Sequence, residues 1–204
     1  MPARKKAWLT AVAVILGLLG LPADSPVHKI VTGVADALWQ PNNTRGRGGK
    51  AVRAAKGGRY GGLVVGVHDG DTVRVEDGGG GLHKIRLAYI DAPEMGQDFG
   101  QDSRDKLRGQ VLEQKVSVKV NDIDQYGREV AQIELDGRDI NLEQLKNGAA
   151  WHYASIAKRQ QDKAAFGQYA AAEAAAREGR RGLWARDNPV APWTFRKQKK
   201  AQGR

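Results

Sequence analysis

The chain has 204 residues, 41% of them hydrophobic, which predicts one buried core with appendages and leaves little room for a second full domain. It contains no cysteine, so disulfides and thiolate metal sites are excluded, and any bound metal would need oxygen or imidazole ligands. The formal net charge of +10 divides into +8 over residues 1–59, −2 over residues 60–186 and +4 over residues 187–204. The two basic ends predict contact with a polyanion, although they would equally serve solubility or contact with lipid head groups. The middle segment can hold an anion only through placed residues or a bound cation.

The first 24 residues have the pattern of an export signal or membrane anchor. The basic "RKK" precedes an apolar run from Ala7 to Leu21. This run is long for a signal-peptide core and short for a spanning helix, and Leu21 fits a cleavage site poorly. We therefore expect an exported protein, held on the periplasmic side of the inner membrane by an uncleaved N-terminal anchor, or secreted if the segment is cleaved.

The regions on either side of the expected folded part have a different composition from it. Residues 25–62 are predicted to form a basic linker, because "PNNTRGRGGKAVRAAKGGRYGG" is rich in glycine, arginine and lysine and offers little to bury. Residues 187–204 are predicted to form a basic C-terminal tail. The folded domain is therefore expected over residues 63–186.

Within residues 63–186, apolar alternation predicts five strands. "LVVGV" and "TVRVED" flank a tight "DGD" turn, and "HKIRLAYI", "KVSVKVN" and "EVAQIEL" follow. Helices are predicted over residues 101–113, at "INLEQLKNGAA" and over the alanine-rich "RQQDKAAFGQYAAAEAAAREG". Five short strands with about three helices predict an α+β fold, a five-stranded β-barrel of the OB type.

The third predicted strand carries a charged residue among apolar ones. In "KIRLAYIDAPE", alternation places Arg86 on one face with Ala88 and Ile90. A partly buried arginine fork is tolerated when it meets a carboxylate or an anion such as phosphate. For Arg86 taken alone, a structural ion pair with Asp91 or Glu94 is as good an interpretation as a functional role.

Three carboxylates are expected to converge at the end of this strand. Asp71 begins the strand that should pair with it, and Asp91 and Glu94 follow it. "DGD" alone is an ordinary turn, but carboxylates with only oxygen ligands nearby favour a hard divalent cation. The loop "DQYGR" adds a second arginine, Arg128. Two arginines, a cation and a carboxylate are the groups that phosphodiester hydrolysis needs, to stabilise charge on phosphorus and to take a proton from water.

"DGDTV", "IRLAYIDAPE" and "DQYGR", in this order and spacing, resemble the staphylococcal nuclease-like (thermonuclease) family from about Leu63 to Trp184. The resemblance implies an OB-fold barrel. It also implies a calcium-dependent endonuclease that hydrolyses DNA and RNA with little sequence specificity and leaves 3′-phosphates. No obligate protein partner is predicted, and a membrane is a predicted partner through the N-terminal segment if that segment is uncleaved.

The resemblance also implies a ligand set for calcium. Asp71 and Asp91 would bind the ion through their carboxylates. Ala92 would bind it through its backbone carbonyl, at a position where the family prototype has threonine. Asp69 matches a carboxylate that lies near the metal without binding it.

The remaining implied roles concern the phosphate and the nucleotide. Arg86 and Arg128 would hold the scissile phosphate, and Glu94 would act as general base or position the attacking water. In "AAWHYASI", Trp151 and Tyr153 are the candidates for stacking on a base. Packing of these two aromatic rings against the last helices is an equally good interpretation.

Two other functions fit parts of the pattern. One is a catalytically silent, membrane-tethered OB-fold module that binds nucleic acid through the same groove and the basic ends. The other is a membrane-tethered scaffold whose basic ends bind lipid or protein. The presence of Arg86, Glu94 and Arg128 together favours the enzyme, because binding alone needs no general base.

Overall fold

The computed structural model of the protein describes residues 50–203. The predicted signal or anchor, and residues 25–49 of the predicted linker, lie outside this range. No helix within it is long and apolar enough to cross a membrane. The strands are β1 (Arg59–Val67), β2 (Thr72–Asp77), β3 (Leu82–Leu87), β4 (Ile90–Asp91), β5 (Lys115–Ile123), β6 (Glu129–Leu135), β7 (Arg138–Asp139) and β8 (Trp151–His152). The helices are α1 (Gly100–Val111), α2 (Ile140–Lys146), α3 (Ala154–Gln160), α4 (Lys163–Glu178), a 3₁₀ turn (Gly182–Ala185) and α5 (Pro192–Gln202).

Five of the strands close into a barrel. The antiparallel order is β3-β2-β1-β5-β6, and β3 also pairs in parallel with β6, which joins the two edges. Every second strand residue turns inward, and the β-branched and aliphatic side chains at those positions form the core. Buried members are Val64, Val73, Val75, Ile85, Leu87, Val118, Val120, Ala131 and Ile133. The predicted α+β class and five-stranded barrel are confirmed, with five α-helices in the described range where about three were predicted.

The third predicted strand is interrupted, contrary to its continuous alternation. Tyr89 takes a positive φ of 67°, a conformation that residues other than glycine rarely adopt. The buried side chain of Asn141 donates to the carbonyls of Ala88 and Ala131, both at 3.0 Å, and holds the break in place. The chain resumes as β4, which pairs with β8. Asp91 therefore projects from a separate short ladder rather than from the barrel strand.

Both ends of the described fold extend past the predicted boundaries. β1 begins at Arg59, inside the predicted linker, because residues 59–62 pair with β5. The predicted alanine-rich helix begins later than expected, since Asp162 caps it by accepting from the N–H of Ala165 at 2.9 Å. In the predicted C-terminal tail, Pro192 starts α5, in keeping with the preference for proline in the first turn of a helix.

A buried polar network ties the residues before β1 to the barrel. The carboxylate of Glu129 is fully buried and accepts from the backbone N–H of Ala54 at 2.7 Å and from the hydroxyl of Tyr60. Its Oε1 also lies 2.7 Å from Nδ1 of His83. Burial, and then the nearby Glu129 carboxylate, raise the pKa of the Tyr60 hydroxyl far above its usual range, so this group stays a donor.

We expect Glu129→Ala to lower the free energy of unfolding by about 3–5 kcal/mol, because it leaves several buried polar groups without their acceptor. Chemical denaturation of the purified variant measures this loss. Glu134→Ala, at an exposed position on the same strand, is the control and should change stability by less than about 0.5 kcal/mol. Equal losses in the two variants would show that the network adds nothing to stability.

Candidate active site

An open groove of about 650 Å³ lies on one side of the barrel, where the β1–β2 turn, β3, β4, the β5–β6 loop, α3 and α5 meet. Most of the residues singled out from the sequence line it. These are Asp69, Asp71, Arg86, Ala92, Glu94, Arg128 and Tyr153. Asp91, on β4, is buried beneath the groove and accepts hydrogen bonds from two arginines that line it.

Arg86 lies between two buried carboxylates. Thr72 pairs with Arg86 in the β2–β3 ladder, which brings the preceding Asp71 alongside the guanidinium. Nη1 of Arg86 donates to Asp71 Oδ2 at 2.6 Å, and Nη2 donates to Asp91 Oδ1 at 2.7 Å. Burial alone would lower the pKa of Arg86, but the two carboxylates outweigh it and raise the pKa above its usual value. Arg86 therefore forms the structural ion pair that the sequence allowed, and it also lines the groove.

The turn before β2 packs closely against α1 and against the residue that follows β4. A side chain at Gly70 would place its Cβ 1.8 Å from Ser103 Oγ and 2.7 Å from the Ala92 Cβ, so only glycine permits this approach. The backbone N–H of Ala92 then donates to Asp71 Oδ2 at 3.0 Å. Burial, and then the neighbouring Asp71 carboxylate, raise the pKa of Asp69 to about 6. The turn therefore concentrates carboxylate oxygens at one edge of the groove.

Arg128 is oriented by a residue of its own loop. Asp124 accepts from the backbone N–H of Arg128 at 2.8 Å and from its Nε at 2.7 Å. Burial by itself would raise the pKa of Asp124, but these bonds outweigh it and hold the pKa below its usual value. Because the ion pair uses Nε, the two Nη nitrogens remain able to grip a phosphate. Tyr126, which sequence reasoning missed, is 75% exposed at the same groove, with the Arg128 guanidinium 5.6 Å from its ring centre.

A third arginine enters the groove from α5. Nη1 of Arg196 donates to Glu94 Oε1 at 2.8 Å and to Asp91 Oδ1 at 3.1 Å, and Nη2 donates to Asp91 Oδ2 at 2.7 Å. The hydrogen bonds to Asp91 are the main cause of a raised pKa for Arg196. Sequence reasoning did not select this residue, since it was assigned to the basic tail. Its only signal was an arginine three positions after the "PW" that begins α5.

The two predicted stacking residues lie in different surroundings. Trp151 packs edge-on against Trp184 at 4.4 Å and Trp193 at 5.6 Å, with the Arg177 guanidinium 4.8 Å from its ring centre. Tyr153 lines the groove and stacks on Trp193 at 5.5 Å, with the ring planes 6° apart. Trp151 is therefore placed in an aromatic packing cluster, whereas Tyr153 has access to a ligand in the groove.

The donor chemistry at the groove fits a hard cation. No three His, Asp or Glu side chains within residues 50–203 are grouped closely enough to hold a metal by themselves. The predicted calcium ligands include only two side chains, the buried carboxylates of Asp71 and Asp91, together with the backbone carbonyl of Ala92. Calcium takes six to eight oxygen ligands, so water would supply the rest. Both oxygens of Asp91 accept from arginines in this structure.

Comparison with known proteins places the chain in a family. It is similar to an uncharacterised endonuclease of Escherichia coli O157:H7, 37% identical over 145 residues that cover 68% of this chain and 86% of the relative. A second relative, from Haemophilus influenzae, also named an uncharacterised endonuclease, is 37% identical over 67% of this chain and 73% of its own length.

Plant relatives share a smaller part of their length with this chain. The probable staphylococcal-like nuclease CAN4 of Oryza sativa subsp. japonica is 39% identical over 60% of this chain and 23% of its own length. The chain spans about a third or less of such relatives. A family model described as staphylococcal nuclease homologue matches residues 84–186, about half of the chain. The chain therefore belongs to the staphylococcal nuclease family, and the resemblance predicted from its motifs is confirmed.

Proposed function

We propose that the protein is a calcium-dependent nuclease that hydrolyses phosphodiester bonds of DNA and RNA with little sequence specificity. One observation carries the proposal: Arg86, Glu94, Arg128 and Asp71 line a single groove, and Arg86 donates hydrogen bonds to both Asp71 and the buried Asp91. These are the groups needed to hold a phosphate, to stabilise the charge that develops on it and to take a proton from water. The names of the bacterial and plant relatives support the same activity.

In the proposed reaction, each side chain has one task. Arg86 and Arg128 donate hydrogen bonds to the phosphate oxygens, whose negative charge grows as water attacks phosphorus. Glu94 accepts the proton of that water. Bound through Asp71, Asp91 and the carbonyl of residue 92, calcium would add positive charge beside the same oxygens. The bond from phosphorus to the 5′ oxygen breaks, and the departing oxygen takes a proton from solvent water, which leaves a 3′-phosphate and a 5′-hydroxyl.

The low sequence specificity follows from the kind of contact that the groove offers. Its arginines would bind phosphate, which every nucleotide has. Tyr126 and Tyr153 offer aromatic rings on which any base can stack. The basic segments at residues 1–59 and 187–204 would add nonspecific attraction to the polyanion.

Hydrolysis of single-stranded DNA and RNA by the purified full-length chain, with calcium and then with excess chelator, tests the proposal. We expect cleavage that requires calcium and yields ends that a 3′-phosphatase can dephosphorylate. Cleavage that persists in chelator would contradict the cation requirement. Binding without cleavage would favour the silent OB-fold module.

Tyr153→Ala is expected to weaken binding of a short single-stranded oligonucleotide by about fivefold to 150-fold, which corresponds to about 1–3 kcal/mol of lost stacking. Fluorescence anisotropy with a labelled oligonucleotide measures the affinity. Trp151→Ala is the matched comparison: it should lower thermal stability more than affinity, because Trp151 packs against Trp184 and Trp193. The reverse pattern would move the stacking role to Trp151.

We also propose that the protein works outside the cytoplasm, on the periplasmic face of the inner membrane or as a secreted enzyme. The proposal rests on the basic and apolar pattern of the first 24 residues. Fractionation of cells that express the full chain tests it, and recovery in the cytoplasmic fraction alone would refute export.

A further inference from the structure

Arg196 of helix α5 binds two residues of the proposed active site, Asp91 and Glu94, at the same time. Arg196 uses both Nη nitrogens, one on Asp91 Oδ2 and the other shared between Asp91 Oδ1 and Glu94 Oε1, at distances of 2.7 to 3.1 Å. Asp91 is fully buried, and Arg86 also donates to its Oδ1. Each oxygen of this carboxylate is therefore engaged by a guanidinium.

The charges at this point limit what else can bind. Three carboxylates, from Asp71, Asp91 and Glu94, face two guanidiniums, from Arg86 and Arg196. A divalent cation on Asp91 would need one of its oxygens, and it would stand within a few ångströms of two positive groups, where repulsion is strong in a poorly solvated site. Repulsion from the two guanidiniums therefore opposes binding of the ion, and withdrawal of one arginine would remove part of this opposition.

The two arginines differ in how easily each can withdraw. Arg86 stands on a barrel strand, and its side chain is 18% exposed and held by Asp71 as well. Arg196 stands on α5, and its side chain is 41% exposed. The cost of moving Arg196 is lower, because water can solvate its guanidinium once the carboxylates are released.

We propose that Arg196 is a displaceable counter-ion of the active site, which competes with the divalent cation for Asp91 and pairs with Glu94 until the cation binds. The proposal rests on the calcium site proposed above. In the form with Arg196 docked, a ligand of the cation and the general base are both occupied by one side chain. Binding of the ion releases both of them together.

Isothermal titration of the full-length protein with calcium chloride, without nucleic acid, tests the competition. We expect Arg196→Ala to bind calcium at least about tenfold more tightly than the wild type, since the ion no longer displaces a guanidinium. Lys197→Ala removes the same charge from an exposed position on the same helix and should bind calcium like the wild type. Arg196→Lys, which keeps the charge but loses the fork, should lie between the wild type and Arg196→Ala.

The outcomes separate this inference from the proposed function. Equal or weaker calcium binding by Arg196→Ala, beside measurable binding by the wild type, would overturn the competition and leave the nuclease proposal standing. Equal tightening in Arg196→Ala and Lys197→Ala would also overturn it, by reducing the effect to general charge. No calcium binding by any folded variant would overturn the calcium site and the competition together. Thermal unfolding of each variant without calcium verifies that it is folded.

Discussion

Glu94→Gln is expected to lower kcat for hydrolysis of single-stranded DNA by about 10²- to 10⁴-fold, the usual contribution of a positioned general base. Glutamine has the same shape and can still accept a hydrogen bond from Arg196 through its amide oxygen, so the groove should keep its form. KM should change little, because the phosphate is held by other side chains. Steady-state kinetics in saturating calcium provide the measurement.

Glu178→Gln, at an exposed position on α4, is the matched control for Glu94→Gln and should retain wild-type rates. If Glu94→Gln kept more than about a tenth of the wild-type kcat, another group would have to activate the water, and the assignment of Glu94 would be lost.

Arg128→Ala should lower kcat by about 10²- to 10³-fold, the typical cost of removing one preorganised donor to a developing oxyanion. Arg128→Lys should recover little of this loss, because a lysine cannot both bind Asp124 through an Nε–H and present a planar fork to phosphate. Single-turnover kinetics, which separate chemistry from product release, measure the effect.

Arg138→Ala, at an exposed position on β7, controls for the loss of one positive charge from the domain. Asp124→Asn adds a second test of geometry. It keeps the guanidinium but weakens the bond that orients it, so kcat should fall less than in Arg128→Ala. If Arg128→Ala raised KM and left kcat unchanged, Arg128 would be a substrate-binding residue only.

Local patterns predicted the barrel because apolar and polar residues alternate along much of its strands. Val73 and Val75, for example, are separated by the exposed Arg74, and the structure buries both valines. The break at Tyr89 could not be predicted in this way. It depends on Asn141, which lies 53 residues beyond Ala88 and stabilises the break by bonding its carbonyl. A continuous apolar run gives no sign of such a distant partner.

The same holds for the candidate site: residues that lie on adjacent strands could be placed together from the sequence, and those from distant parts of the chain could not. Arg86 and Asp71 could be brought together from sequence, because the pairing of two adjacent strands fixes their separation. Arg196 could not, since its contact with Asp91 spans 105 residues and α5 is too polar to indicate burial. Trp151 and Tyr153 were indistinguishable by spacing, and they diverge only because the chain leaves β8 at Tyr153 and turns into α3.

The parallel pairing of β3 with β6 also affects when the candidate active site can form during synthesis of the chain. Arg86 and Arg128 sit on either side of that junction, and the residues between them include all of α1 and β5. Pairing of such distant segments requires that both have been synthesised, and it costs chain entropy to close the loop between them. A ribosome-bound chain that has not yet released the β5–β6 loop and β6 would therefore lack a closed barrel and Arg128, one of the two arginines proposed to bind phosphate. Under the proposed function, cleavage would therefore begin only after β6 has been synthesised and has paired with β3.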